Sequence, residues 1–128
     1  MEPVSDMAFG SYLRQLRLRA GFGLRRFADR VPMKPSNLCR LEAGRVPPPK
    51  DANRLRKITQ ALGLDAESPE CITLNDLASK ARPGTIAPDL GEYVATQPGV
   101  PLLLRTVRGK RLGARRLQQL AAYIKANL

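Results

Sequence analysis

Apolar residues between positions 24 and 44 recur at helical spacing and predict two short helices joined by a turn. Leu24, Phe27 and Val31 occupy positions i, i+3 and i+7, which form one face of the first helix. The spacing is interrupted at Pro32, and a proline disfavours helical backbone in the residue before it. The pattern therefore predicts that the first of these helices ends just before Pro32.

The second helix of the pair is predicted to begin at Pro35, because the backbone angle of proline suits a first helical turn. Leu38 and Leu41 form its inward face, and Gly44 suits the left-handed residue that ends many helices. The outward positions of this helix are polar or basic. A short helix with such an outer face, set across a preceding helix, suits the major groove of DNA. The stretch therefore predicts a helix-turn-helix.

Further apolar repeats on both sides complete a four-helix module. One helix is predicted from about Ala8 to Ala20, and residues 1–7 precede it as a flexible lead. The fourth helix is predicted to start near Asp51, an acidic residue that suits the first turn, and to end at Gly63.

The second half of the chain has shorter apolar segments separated by proline and glycine. Four helices are predicted there: one capped by Thr73, one from Asp89 to about Thr96, one from Pro101 towards Val107, and one from Ala114 onwards. Their apolar stripes either complete the core of the monomer or form an interface. The chain thus divides into a helix-turn-helix DNA-binding domain, residues 1–66, and a helical C-terminal region, residues 67–128, for dimerisation or partner binding.

The chain is strongly basic, with a net charge of +11 and a pI of about 10.7, which favours a polyanionic partner. Residues 1–64 hold 13 Lys/Arg against 5 Asp/Glu, and residues 65–128 hold 9 against 6. The excess of positive charge therefore lies with the helix-turn-helix, where phosphate contacts require it. Aromatic residues make up only 5% of the chain, which disfavours single-strand binding by base stacking.

Catalytic and metal-binding chemistry is scarce in the sequence. There is no histidine, the commonest general base and metal ligand, and Cys39 and Cys71 form no metal-binding pattern. We therefore expect no enzymatic activity, no cofactor and no metal site. No apolar run reaches the length of a membrane span, and the first residues lack the basic start of a signal peptide. These features predict a cytoplasmic protein without a membrane partner.

Four short segments occur in a defined order: Gly10-x-x-Leu13-Arg-x-Leu-Arg17-x-x-x-Gly21, Phe27-Ala28, Leu38-x-x-Leu41-Glu42-x-Gly44, and Ala61-Leu62-Gly63-Leu64. In these segments the stretch from Phe9 to Leu64 resembles the Xre/Cro/cI family of bacterial and phage DNA-binding regulators. The chain departs from the family pattern at Gly23, where a serine or threonine cap is usual, and at Pro32, which replaces the usual turn glycine. The resemblance implies an all-α, lambda-repressor-like helix-turn-helix bundle with a C-terminal helical extension.

The resemblance also implies roles for individual residues. The resemblance implies that Arg17 and Glu42 form a partly buried salt bridge. Electrostatics agrees, because a carboxylate near DNA would repel the phosphates unless an arginine held it inward. The alternative is two solvated charges that contribute little. Arg40 is the first choice for a base contact, because its guanidinium can donate two hydrogen bonds to guanine. The DNA-binding residues expected from the motif are Arg25, Lys34, Pro35, Ser36, Asn37, Arg40, Arg45 and Lys50.

The function that these features favour is transcription regulation through double-stranded operator DNA. We expect a homodimeric repressor, because family repressors usually bind two half-sites as symmetric dimers. The alternative is an antitoxin-type protein whose C-terminal region binds a protein partner. The helices after the module also resemble those of regulators paired with a metalloprotease of the ImmA/IrrE type, which would imply cleavage in that region. The basic run from Arg105 to Arg116 is interpreted as a solvated connection, with non-specific DNA contact as the alternative.

Overall fold

The computed structural model describes residues 8–128, and this part of the chain contains helices but no strands. In chain order the helices are α1 (Phe9–Arg19), α2 (Leu24–Arg30), α3 (Pro35–Glu42), α4 (Ala52–Ala61), α5 (Pro69–Lys80), α6 (Gly91–Thr96), α7 (Gly99–Gly109) and α8 (Ala114–Asn127). The all-α prediction is confirmed, whereas the lead predicted for residues 1–7 lies outside the described residues. The chain forms two compact units, of which the first extends to Gly91 and the second is Glu92–Leu128.

The first unit has one hydrophobic core, to which five helices contribute. Helices α1 to α5 each supply a fully buried side chain, in order Leu13, Phe27, Leu38, Leu55 and Leu74. Burying one such side chain stabilises a fold by about 1.5–3 kcal/mol relative to leaving it exposed. Helix α5 is therefore part of the first unit, and the boundary predicted between residues 66 and 67 falls inside that unit.

Helix α5 begins earlier than the sequence pattern indicated. The prediction that Thr73 is the N-cap of this helix is wrong, because Thr73 lies within the helix. The N-cap is Ser68, whose Oγ accepts a hydrogen bond from the backbone N–H of Cys71 at 3.2 Å. Pro69 occupies the first helical position, where its missing N–H is no loss. The Ser-Pro pair therefore starts the helix ahead of Thr73.

The chain after α5 folds back against that helix and also reaches the loop between α3 and α4. Asn75 is buried in α5, where its amide nitrogen donates to the carbonyl of Cys71 at 3.0 Å. Its Oδ1 accepts a hydrogen bond from the backbone N–H of Asp89 at 3.1 Å, which joins the following chain to α5. Arg82 donates to the carbonyl of Pro48 in the α3–α4 loop. Because Pro48 is itself buried, this loop is anchored at its middle.

The second unit consists of helical segments without a core. Helix α8 begins at Ala114, as predicted, whereas α7 begins at Gly99 rather than at Pro101. Pro101 lies in the first turn of α7, where a backbone N–H has no helical partner, so the helix can start before it. Across residues 92–128, all of which the structure describes, no side chain is buried.

Candidate nucleic-acid interface

Helices α2 and α3 are joined by a tight turn that contains the cis Val31–Pro32 peptide bond. The N–H of Met33 donates to the carbonyl of Ala28 at 2.7 Å, which closes the end of α2. Helix α3 starts directly after Lys34, which has the extended backbone of an N-cap residue. The helix-turn-helix predicted from the apolar spacing is therefore present.

Helix α3 has two chemically different faces. Leu38 and Leu41 are buried in the core of the first unit. The polar side chains that face outward and are exposed belong to Lys34, Ser36, Asn37 and Arg40, and Pro35 beside them is half-buried. None of these four polar side chains forms a hydrogen bond or ion pair with another described residue. Their donors are therefore available to an external ligand.

A buried ion pair fastens the end of α3 to α1. Arg17 donates from Nε and Nη2 to the two carboxylate oxygens of Glu42 at 2.7 and 2.9 Å, and from Nη1 to the carbonyl of Phe22 at 2.9 Å. The hydrogen bond with Glu42 raises the pKa of the Arg17 guanidinium above its ordinary value. Two parallel bonds to one carboxylate set orientation as well as distance. The pair therefore holds the Glu42 charge inward and helps to position α3.

Helix α1 also meets α3 at Gly10, where the two backbones come into direct contact. A Cβ atom at this position would lie 2.8 Å from the carbonyl carbon of Glu42, and closer still to the carbonyl oxygens of Leu41 and Glu42. Only glycine, which lacks a Cβ, allows so close an approach. Gly10 was not among the predicted site residues, because a contact between residues far apart in the chain leaves no local pattern.

Helix α3 ends in a Schellman motif that directs the following loop. Gly44 has a φ of 75°, and its N–H donates to the carbonyl of Leu41 at 3.2 Å. The N–H of Arg45 donates to the carbonyl of Arg40 at 2.9 Å, which completes the motif. The left-handed stop predicted at Gly44 is confirmed, and it leaves the Arg45 side chain exposed directly after α3.

The loop between α3 and α4 carries an exposed cation near each end, Arg45 and Lys50. Asp51 follows as the N-cap of α4 rather than as a first-turn residue, and its carboxylate accepts from the N–H of Asn53 at 2.9 Å. The caps fix both ends of the loop and buried Pro48 fixes its middle. The two cations are therefore held by an anchored loop.

The three arginines of α2 are not equivalent. The guanidinium carbons of Arg26 and Arg30 lie 5.5 and 4.7 Å from the centre of the Phe22 ring. Arg30 Nε also donates to the carbonyl of Ala61 at 3.3 Å. Arg25 is exposed and has no such contact with another described residue. Of the three charges, that of Arg25 is therefore the most available to an external anion.

Metal-binding clusters are absent from residues 8–128: no three or more His, Cys, Asp or Glu side chains are grouped so that they could hold an ion. Burial raises the pKa of the Cys71 thiol above its ordinary value, which favours the protonated form over the nucleophilic thiolate. Within the same range, no helix combines the length and the apolar character that crossing a bilayer requires.

Residues 8–69 match a protein-family model described as a helix-turn-helix domain. The matched region covers α1 to α4 with the turn and loop described above. No curated protein and no solved structure matches the chain. The fold of residues 8–69 and this match agree on the class of the domain: the chain carries a helix-turn-helix domain.

Proposed function

We propose that the protein is a sequence-specific transcription regulator of the Xre/Cro/cI type that binds double-stranded operator DNA in the cytoplasm. The observation that carries this proposal is the outer face of α3, which offers unpaired polar and basic side chains while its inner face is locked into the core. Repression would follow from steric exclusion of RNA polymerase at the promoter. The proposal includes no catalytic step.

Base recognition is assigned to the middle of α3. Arg40 would donate two hydrogen bonds to O6 and N7 of a guanine, the commonest specific side-chain contact in the major groove. Ser36 can donate to or accept from either base of a pair. Pro35 has no donor, and we assign it an apolar contact, such as one with a thymine methyl group. We assign Asn37 a contact that would position the backbone phosphate beside these bases.

Phosphate contacts are assigned to the exposed cations around α3, namely Arg25, Lys34, Arg45 and Lys50. Each phosphate that they neutralise releases counterions, which supplies affinity independent of sequence. The Glu42 carboxylate at the end of α3 would oppose this affinity if it faced the DNA. Its pairing with Arg17 removes that opposition.

A symmetric homodimer is part of the proposal. One α3 helix spans only a few base pairs, so a second copy on a neighbouring half-site multiplies the specificity. Half-sites bound by such dimers lie about 34–36 Å apart, one helical turn of DNA. An operator with two inverted half-sites at this spacing, protected together in a footprint, would support the dimer. Protection of a single half-site at saturation would count against it.

The proposal is tested by comparing the DNA upstream of the protein's own gene with a scrambled duplex of equal length across a salt series. Operator-specific binding should persist at salt concentrations that release the scrambled duplex, because base contacts do not depend on counterion release. If both duplexes were released in parallel, the helix-turn-helix would be only a basic anchor.

Arg40→Ala is expected to relax the preference at one base pair and to cost about 1–3 kcal/mol of operator affinity. Lys50→Ala is the matched control, because loss of a phosphate contact weakens all sequences equally and reduces the slope of log K against log salt by about 0.9. Competition binding with single-base operator variants measures both effects. An unchanged base preference in Arg40→Ala would remove Arg40 from base recognition.

A second candidate function is favoured by the second unit, whose apolar side chains are not buried. In this candidate, an antitoxin-type protein binds a protein partner through its C-terminal region and uses DNA binding to autoregulate its operon. Cleavage of that region by a partner metalloprotease is a variant of the same candidate. Co-purification of a stoichiometric partner with the full chain would favour it over simple repression.

A further inference from the structure

The second unit is a set of helices whose apolar side chains have no cover. Residues 92–128 are all described, and none of their side chains is buried. Leu102 is 70% exposed, Tyr123 62% and Tyr93 61%. Helices of this length are marginal in water alone, and most helical stability in proteins comes from packing an apolar face. Burial of these side chains by another surface would therefore stabilise the unit.

The exposed leucines of α7 cover a broad face of the helix, roughly 200° of its circumference, instead of a narrow stripe. Leu102, Leu103 and Leu104 are consecutive, so they point in directions about 100° apart around the helix axis. All three are at least half exposed. A bilayer surface buries the apolar face of such a helix to a depth of only about 5–10 Å, and DNA phosphates gain nothing from leucine. A protein surface with a groove can enclose all three directions.

Helix α8 adds a narrower apolar stripe. Leu117 and Ile124 are seven residues apart, so they lie on the same face, and both are 40% exposed. Leu120 lies between them on that face and is only half-buried. This stripe provides a second line of contact for the surface that encloses α7.

The same unit is basic almost without compensation. Residues 92–128 contain seven Lys/Arg residues and one acidic residue, Glu92. The cations are Arg105, Arg108, Lys110, Arg111, Arg115, Arg116 and Lys125, and all are exposed. None of them forms an ion pair with another described residue. A second copy of the unit would bring only its own Glu92 to these charges, whereas an acidic surface would match them.

We propose that residues 92–128 form a docking element for an acidic protein partner. The apolar groove of the partner would enclose the leucines of α7 and the stripe of α8, and its carboxylates would face the surrounding arginines and lysines. This inference rests on the partner-binding candidate described above and names the chemistry of the partner. It is independent of operator binding by the first unit.

The test uses the full chain and fluorescently labelled designed peptides, with binding measured by anisotropy. The acidic probe has leucine at heptad positions a and d and glutamate elsewhere. One control peptide has lysine in place of glutamate, and another has serine in place of leucine. The acidic probe should bind at least about tenfold more tightly than either control. Equal binding of the leucine and serine versions would overturn the proposal, because charge alone would then explain it.

Paired charge reversals locate the binding surface. Arg105→Glu combined with Arg108→Glu on α7 should weaken binding of the acidic probe about tenfold. The matched control is Arg54→Glu combined with Lys57→Glu on α4, which has the same spacing and the same change in net charge at exposed positions. The control should leave probe binding unchanged, and far-UV circular dichroism checks that both variants keep their helix content. Equal weakening in the two variants would contradict docking at α7.

Three further measurements test for a membrane or a second copy in place of the acidic partner and separate this inference from the operator proposal. Preferential binding to vesicles of phosphatidylcholine and phosphatidylserine, with no binding of the acidic probe, would overturn the proposal in favour of a membrane surface. A dimer in sedimentation that Leu103→Ser converts to monomers would overturn it in favour of a second copy. Operator binding by the α7 charge variant is measured in parallel and should be retained, so a failure of either proposal is recognised separately.

Discussion

Replacing Arg17 with alanine is expected to lower the free energy of unfolding by roughly 3–5 kcal/mol, as is typical when one partner of a buried ion pair is removed. The side chain of Glu42 is only 6% exposed, so its carboxylate would lose both of its charged donors in a site that water reaches poorly. The carbonyl of Phe22 would lose a donor as well. Urea unfolding of the full chain, followed by far-UV circular dichroism, measures the loss.

Two variants show whether the loss comes from the unpaired charge. In Arg17→Met combined with Glu42→Leu, most of the stability should return, because both charges are removed and apolar side chains of similar size remain. Arg14→Ala is the matched control on the same helix, since Arg14 is exposed and its loss should change stability by no more than about 0.5 kcal/mol. Arg17→Met and Glu42→Leu are also measured singly. If the loss of stability in the double variant equalled the sum of the losses in these two single variants, the pair would not be coupled.

Replacing Gly10 with alanine is expected to destabilise the first unit by about 3 kcal/mol, at the upper end of the usual cost of overpacking. The added Cβ would meet the backbone of Leu41 and Glu42, which cannot rotate away as a flexible side chain can. Helix propensity alone predicts the opposite sign, because alanine is favoured over glycine inside a helix by about 1 kcal/mol. The sign of the stability change in urea unfolding therefore decides between the two effects.

Ser11→Ala serves as the control for Gly10→Ala, because Ser11 is the exposed neighbour in the same turn of α1. This variant should be neutral or slightly stabilising, since it gains helix propensity without a new contact. Operator affinity gives a second measurement: displacing α1 from the end of α3 should weaken binding in Gly10→Ala more than in Ser11→Ala. A stabilised Gly10→Ala variant would mean that the two helices do not approach closely at this position.

Features that depend on neighbouring residues were predicted well from the sequence. Pro35 begins α3, Gly44 ends it with a positive φ, and Ala114 begins α8. Each depends on the backbone preference of one residue and on the spacing of apolar positions around it. The start of α5 was predicted wrongly for a related reason: Thr73 and Ser68 are both good caps, and the proline after Ser68 favours the earlier one.

The candidate interface was predicted only in part. The outward position of Arg40 follows from the inward positions of Leu38 and Leu41, because a helix separates its faces by fixed spacing. The pairing of Arg17 with Glu42 came from a family resemblance and not from any local pattern. Distinguishing Arg25 from the other arginines of α2 required the position of the Phe22 ring, which no spacing reveals.

The sequence alone determined the class of this protein: an all-α, strongly basic chain with a helix-turn-helix, since helix periodicity, caps and charge are properties of short stretches. Only the tertiary structure decided that Gly10 touches the end of α3, that α5 completes the core of the first unit, and that residues 92–128 bury no side chain. These are relations between residues far apart in the chain. They depend on which surfaces meet after the helices have formed, and a local pattern shows that a helix has an apolar face without showing what covers it.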